Sequence, residues 1–275
     1  MNNELLRRVQ LVQLEILKEV KRICDENNIT YSLDGGTLLG AIRHKGFIPW
    51  DDDLDISMVR DEYERFLQIA PKVIKPEYVV QSWYSEAGYG LPFAKVRKKN
   101  TLYIEKVTEK ASCNQGIFID IFPYDEYPED IRAQKKQGKV FMFYKTLIRA
   151  KCHYTPWYES GSINWKKYIL YLPFRFLSIF QSKESMIRKY DDNAKKYNGE
   201  GHKKLYVQDI STYGSYLVNS EMFQDEIMIP FEDDKFMIPR DYDRLLTAIY
   251  GDYMTPPPKE EREDRHHVLK ISLGD

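Results

Sequence analysis

Three consecutive aspartates, Asp51, Asp52 and Asp53, are followed by Leu54 and then by a fourth, Asp55. Along an extended chain alternate side chains share a face, so Asp51, Asp53 and Asp55 can point together. Carboxylates crowded in this way repel one another, and their pKa values rise unless a cation sits among them. A set of hard oxygen donors suits Mg2+ or Mn2+. A solvated acidic turn is the plain alternative, and it is the reading taken for Glu232, Asp233 and Asp234. Around Asp55 it fits less well, because Leu54, Ile56 and Met58 draw the segment into a core.

A further carboxylate stands in Gly116-Ile117-Phe118-Ile119-Asp120-Ile121-Phe122, where Asp120 is the one polar side chain. Burying an unpartnered aspartate is costly, so Asp120 is either hydrogen-bonded in the core or a third ligand beside Asp53 and Asp55. The ligand reading is preferred. It makes Asp53, Asp55 and Asp120 the catalytic and metal-binding set, with Asp51 in reserve. Upstream, Gly35, Gly36 and Thr37 follow a β-prone run and open a helix. Glycines let a backbone approach a ligand closely, and a helix N-terminus presents free N–H groups to phosphate. Arg43 and His44 follow this turn, and Lys95 and Arg97 share one face of a strand. All four are candidate phosphate contacts, weighed against ordinary surface charge. His266 and His267 are further candidates for a phosphate or base contact, with plain surface as the alternative.

These residues need elements to hold them. Leu5, Leu6, Val9, Val12, Leu14, Ile16, Leu17, Val20 and Ile23 recur at helical spacing, which predicts a long amphipathic helix ending near Asn27-Asn28. Strands are expected over 29–33, 54–59, 78–83, 93–97, 102–105 and 116–122, the last buried on both faces. A short helix spans 37–44, and Asp61 caps another that Pro71 stops. Residues 130 to about 197 read as helical, broken near Pro156, Gly161 and Pro173. A hairpin pairs 227–231 with 236–238, and a final helix over 241–250 stops at Gly251. The order describes one α+β domain over 1–275: a core at about 29–125, a helical insertion at about 130–200 and a C-terminal segment at about 203–275.

A net charge of −1 argues against nucleic acid as a partner. Three cysteines, Cys24, Cys113 and Cys152, lie far apart and fit a reducing compartment. The N-terminus lacks a signal-peptide core, and no apolar run reaches the roughly 20 residues of a spanning helix. A cytoplasmic protein is therefore expected. Residues 168–180 are apolar and aromatic beside Lys166, Lys167 and Arg175. They either pack on the core or lie against the inner face of a membrane as a peripheral contact.

The Gly-Gly-Thr turn, Asp53-Leu54-Asp55-Ile56 and Ile119-Asp120-Ile121 resemble the polymerase-β-type nucleotidyltransferase pattern. The longer string from Leu33 to Asp55, LDGGTLLGAIRHKGFIPWDDDLD, is more specific and resembles the LicD family. These are bacterial phosphocholine transferases of cell-surface glycans, with fukutin-type enzymes as distant relatives. Lys95-Val96-Arg97, Gly116 through Pro123 and Tyr250 through Pro257 extend the likeness, whereas 135–220 carries little of it. The resemblance implies a nucleotidyltransferase-like mixed sheet with flanking helices. It implies a CDP-alcohol donor, most often CDP-choline, and a glycan or lipid-linked glycan acceptor. The acceptor hydroxyl would attack the distal phosphorus and expel CMP, with Asp120 available to take its proton. Two other readings share the same acids: a nucleotidyltransferase that releases pyrophosphate, and a nucleotide-binding module without catalysis.

Overall fold

The apolar spacing at the N-terminus forms one helix, α1 (Asn3–Asn27), in a computed structural model of the chain. The structure describes residues 2–155, 158–159, 162–207, 216–258, 260, 262 and 267–274. The Asn2 side chain accepts a hydrogen bond from Leu5 N at 2.7 Å and so caps α1. Asn28, at φ 52°, ends it in the left-handed conformation. The stripe Val9, Ile16, Leu17, Val20 and Ile23 is buried against the sheet.

After α1 come β1 (Ser32–Leu33), α2 (Gly35–Arg43), β2 (Asp55–Val59) and α3 (Arg60–Val73). The first strand is shorter than its sequence suggests, and α2 starts at the glycines themselves because Asp34 caps it. Asp61 lies inside the first turn of α3, where its charge suits the helix dipole, while Val59 takes the cap position. Pro71 does not stop α3. It falls in the last turn, where one donor is lost and Ile74 N still reaches Ala70 O.

Next follow β3 (Tyr78–Gln81), β4 (Ala94–Lys98), β5 (Leu102–Glu105) and β6 (Phe118–Tyr127). The helical stretch resolves into α4 (Ile131–Lys151), a small hairpin of β7 (Tyr158–Glu159) and β8 (Ser162–Ile163), α5 (Trp165–Ile179) and α6 (Lys183–Ala194). Pro173 was expected to break this run, yet α5 continues through it. The carbonyl it crowds belongs to Ile169, on the exposed side, where water can take up the lost bond. The chain closes with β9 (Lys204–Val207), β10 (Leu217–Asn219), β11 (Glu226–Phe231), β12 (Asp234–Pro239), α7 (Tyr242–Tyr250) and β13 (Val268–Ser272). The sequence reading lacked β9, β10 and β13.

The α+β expectation is met by a seven-stranded mixed sheet in the order β1-β2-β6-β4-β3, with β9 on the far half of β6 and β10 on β9. β2 and β6 are parallel, and the other pairs are antiparallel. As expected of a central strand, β6 has neighbours on both edges and buried residues on both faces. One apolar cluster joins α1, α2, α3 and the sheet to the β11–β12 hairpin and α7. A second gathers α4, α6 and the segment carrying Trp83, Tyr89, Leu91 and Phe93. Between them Arg60 forms a two-pronged ion pair with Asp125, Nε to Oδ1 at 2.9 Å and Nη2 to Oδ2 at 2.6 Å. Asn198 Nδ2 adds a 2.7 Å bond to the same carboxylate.

The acidic turn of the last hairpin is not simply solvated. Glu232, Asp233 and Asp234 pair with Arg7, Lys18 and Lys21 of α1 at 2.6, 2.7 and 3.0 Å. Glu232 also accepts from Phe47 N, and the Arg7 hydrogen bond lowers its pKa.

Candidate active site

A row of charged side chains crosses three strands of the sheet. Asp55 on β2 is the register partner of Asp120 on β6, and Asp120 is that of Lys95 on β4. Register partners project to the same face. Two carboxylates and an ammonium therefore stand side by side. Lys95 Nζ lies 2.6 Å from Asp120 Oδ1 and 3.3 Å from the centre of the Phe118 ring. Asp120 is thus not alone in its apolar strand, as the sequence had suggested; its partner comes from the neighbouring strand.

The elements around this row are built from the sequence in simple ways. Asp34 caps α2 by accepting from Gly35 N at 2.8 Å, and it also accepts from Tyr124 Oη at 2.9 Å and Tyr216 Oη at 3.1 Å. Thr37 Oγ1 accepts from Asp55 N at 2.8 Å and pins the start of β2 to the first turn of α2. Gly35 sits at φ +50°, a conformation that favours glycine. A Cβ on Gly36 would come within 2.6 Å of Asp51 Oδ2, and one on Gly35 within 3.4 Å of Asp55 Oδ2. The close approach that glycine allows is used here by the protein's own carboxylates. They lie at the helix N-terminus, where negative charge is favoured.

Asp53, Asp55, Asp120 and Lys95 line one cavity of about 340 Å3. Burial raises the pKa of Asp55 well above the ordinary carboxylate value, and Asp53, Asp120, Asp34 and Asp51 reinforce the rise. Burial pushes Asp120 up to about 6, against the opposing pull of Lys95. Asp55 Oδ1 is buried with no hydrogen-bond partner among the described residues. Asp51 stands at the edge of this group. Its backbone N closes a turn on Ile48 O, and its side chain lines a second cavity of about 280 Å3.

The tightest carboxylate group among the described residues is Asp51, Asp52 and Asp53, whose ligand oxygens lie within 4.8 Å of one another. Asp52 is already engaged, accepting from Tyr103 Oη at 2.6 Å. The whole donor set is hard oxygen, the buried Asp55 Oδ1 lacks a partner, and burial reinforced by neighbouring carboxylates raises the pKa of Asp55. Those properties fit a divalent cation.

The other candidates separate. Arg43 lines the second cavity beside Trp50 and Tyr250, and Nη1 donates to Tyr253 O at 2.8 Å. His44 stands edge-on to Trp50 at 5.9 Å, and burial, with Arg43 and Arg262 nearby, lowers its pKa. Arg97 is a correction to the sequence reading. It is 2% exposed, donates to Gln81 Oε1 at 2.5 Å and Gly116 O at 2.6 Å, and faces neither cavity. Its partners sit on the adjoining strand and loop, which no local spacing reveals. His267 is exposed, its carbonyl accepting from Lys106 N, and it is absent from the lining of both cavities. His266 lies outside the described residues.

Sequence reasoning missed Glu105, Arg149 and Tyr216, which line the first cavity, and Arg262, whose guanidinium lies 4.5 Å from the centre of the Trp50 ring. Glu105 is 7% exposed, and its carboxylate makes no hydrogen bond or ion pair among the described residues. Only the Tyr-rich composition hinted at Tyr216; the others carry no local signal.

Residues 28–157 match the family profile described as LicD/FKTN/FKRP, nucleotidyltransferase domain. The lipopolysaccharide cholinephosphotransferase LicD of Haemophilus influenzae is 33% identical over 275 residues, covering 98% of each chain. An uncharacterized protein of Rickettsia typhi is 29% identical over 180 residues, which is 61% of this chain and 51% of that one. Another, from Rickettsia prowazekii, is 31% identical over 183 residues, 63% and 64% of the two chains. With a relative matched from end to end and the family's own profile spanning the aspartate segment and β6, this chain belongs to the LicD family.

Proposed function

We propose that the chain transfers a phosphocholine group from CDP-choline to a hydroxyl of a cell-surface glycan or its precursor, releasing CMP. The observation that carries this reading is the row Asp55, Asp120 and Lys95, opening into a cavity lined by both charged and apolar side chains. The full-length likeness to a lipopolysaccharide cholinephosphotransferase supports it. We read the sheet as a nucleotidyltransferase-like core that acts on the distal rather than the α-phosphorus.

Asp53, Asp55 and Asp120 would hold Mg2+ or Mn2+, with Asp51 at hand. When bound, the cation would neutralise the diphosphate and the charge that develops on departing CMP. Asp120, on the strand beside Asp55, takes the proton of the acceptor hydroxyl as a general base. The acceptor O–P bond forms as the bond from that phosphorus to the CMP oxygen breaks. Lys95, paired with Asp120, carries positive charge to the transferring phosphoryl group. Leu91, Phe93 and Phe122 line the same cavity as Glu105, so it offers apolar contact and a carboxylate to a methylated cation. In this reading Arg43 contacts the nucleotide's phosphate from the second cavity.

The test is product analysis with a purified glycan acceptor. CDP-choline, CDP-ribitol and CDP-glycerol are each supplied and CMP is measured; CTP is supplied in parallel and pyrophosphate is measured. CMP release that is fastest with CDP-choline supports the reading. Pyrophosphate release from CTP, with no turnover of any CDP-alcohol, assigns nucleotide transfer instead. Binding without either product makes the chain a nucleotide-binding module.

A further inference from the structure

Helix α5 buries only a narrow stripe. Tyr171 and Ser178 are buried on that side, where Tyr171 Oη donates to Tyr154 O and Lys151 Nζ donates to Ser178 O. The rest of the surface is apolar and open. Trp165, Leu170, Phe176 and Ile179 are 65%, 68%, 62% and 67% exposed, and Phe180, just past the helix, is 71% exposed. On the neighbouring α4, Phe143 is also exposed and lies 5.9 Å from Phe174 between ring centres. A monomeric protein rarely leaves a continuous apolar patch of this kind in water. No helix among the described residues is long and apolar enough to cross a membrane.

The charge on α5 selects the partner. Its charged residues are Lys166, Lys167 and Arg175, and it contains no acid. Aromatic and aliphatic bulk with only basic charge is the pattern of a helix lying in the plane of an anionic bilayer surface. We propose that α5 docks the protein on an anionic lipid surface, with Trp165, Leu170, Phe176 and Phe180 entering the boundary between headgroups and acyl chains. α5 packs on α4, and Arg149 of α4 lines the catalytic cavity, so the docked helix is one element away from the site. A glycan carried on a lipid is then met at the surface that carries it. The inference rests on the helix and not on the chemistry of the donor.

The experiment uses the full chain and vesicles. Sedimentation is compared on vesicles of phosphatidylethanolamine with phosphatidylglycerol and on vesicles of phosphatidylcholine alone. The wild type should co-sediment with the anionic vesicles, less so in high salt, and weakly with the neutral ones. Leu170→Glu with Phe176→Glu should weaken binding at least tenfold, while CMP release with a soluble acceptor stays unchanged. Since both side chains are exposed, the melting temperature should also hold. Wild type that ignores anionic vesicles, or a double variant that binds them equally well, overturns the proposal. So does a dimer in light scattering that the double variant dissociates while vesicle binding is absent, for then a second copy covers the face. Loss of CMP release with vesicle binding intact would count against the proposed reaction alone.

Discussion

Replacing Lys95 by methionine keeps most of the side chain's length and removes its charge. The ammonium lies 2.6 Å from Asp120 Oδ1, and the two side chains are 3% and 12% exposed. Without it, Asp120 faces Asp55 across one strand spacing with no counter-charge. Removing one partner of a buried ion pair costs about 3–5 kcal/mol. At roughly 2–4 °C per kcal/mol, the melting temperature of the metal-free protein should fall by about 6–20 °C at pH 8. The pH dependence carries the sharper test. Asp120 has a folded pKa raised above its ordinary value, so its protonated form favours the fold. That stability is present in full below about pH 4 and is lost as pH rises through about 6. Losing Lys95 moves the folded pKa higher still. Near pH 5 the carboxyl of the variant is then protonated, and the loss should shrink toward the cation–π contact with Phe118, about 1–2 kcal/mol. Thermal melts at about pH 5 and about pH 8 measure both limits. Adding Asp120→Asn to Lys95→Met should restore about 1–3 kcal/mol at pH 8 relative to the sum of the single losses. A loss as large at pH 5 as at pH 8, or strict additivity of the two changes, would refute the pairing.

Asp53→Asn and Asp55→Asn each remove ligand charge but not volume; transfer should fall at least a hundredfold, and near-normal turnover in either would sink the metal-site assignment. EDTA should abolish activity and Mg2+ or Mn2+ restore it, whereas full activity in excess chelator would give the acids another role. Gly36→Ala places a methyl 2.6 Å from Asp51 Oδ2; turnover should drop roughly tenfold while stability holds or rises by about 0.5–1 kcal/mol, and unchanged turnover would move Asp51 out of the site. Arg60→Met removes the guanidinium from the buried Asp125 carboxylate; denaturant melts should show a loss of about 3–5 kcal/mol, and a loss under 1 kcal/mol would mean the pair does not bind the two apolar clusters together.

The features legible in the sequence are those that local pattern determines. The period of α1, the buried character of β6 and the Asp53–Leu54–Asp55 alternation all follow from neighbours in the chain. Asp120 stands out because a lone acid in an apolar strand must have a reason. Its partner was not legible, because Lys95 becomes its neighbour only through antiparallel register between β4 and β6. The same cause misplaced Arg97: two basic residues on one strand face look equivalent until Gln81 and Gly116 engage one of them. Glu105, Arg149 and Tyr216 reach the first cavity from three separate elements, so only the assembled fold brings them together. β9, β10 and β13 were missed as short pairings that depend on the strand beside them rather than on any run of their own. Pro71 and Pro173 were over-read, since one lost donor at a helix end or on an exposed face is affordable.

The grip of α1 on the last hairpin also has a timetable. Arg7 and Glu232 are 225 residues apart, and a ribosome adding about 5–20 residues per second takes roughly 10–45 s to cover that distance. Throughout that interval α1 has emerged, yet Arg7, Lys18 and Lys21 lack the three acids they hold in the finished protein, although the apolar stripe gains β4 and β6 once residues 94–127 are made. The polar face of α1 is thus secured long after its apolar face. A chain cut short before the β11–β12 turn should therefore keep the apolar stripe of α1 on β4 and β6 while leaving Arg7, Lys18 and Lys21 without these acids.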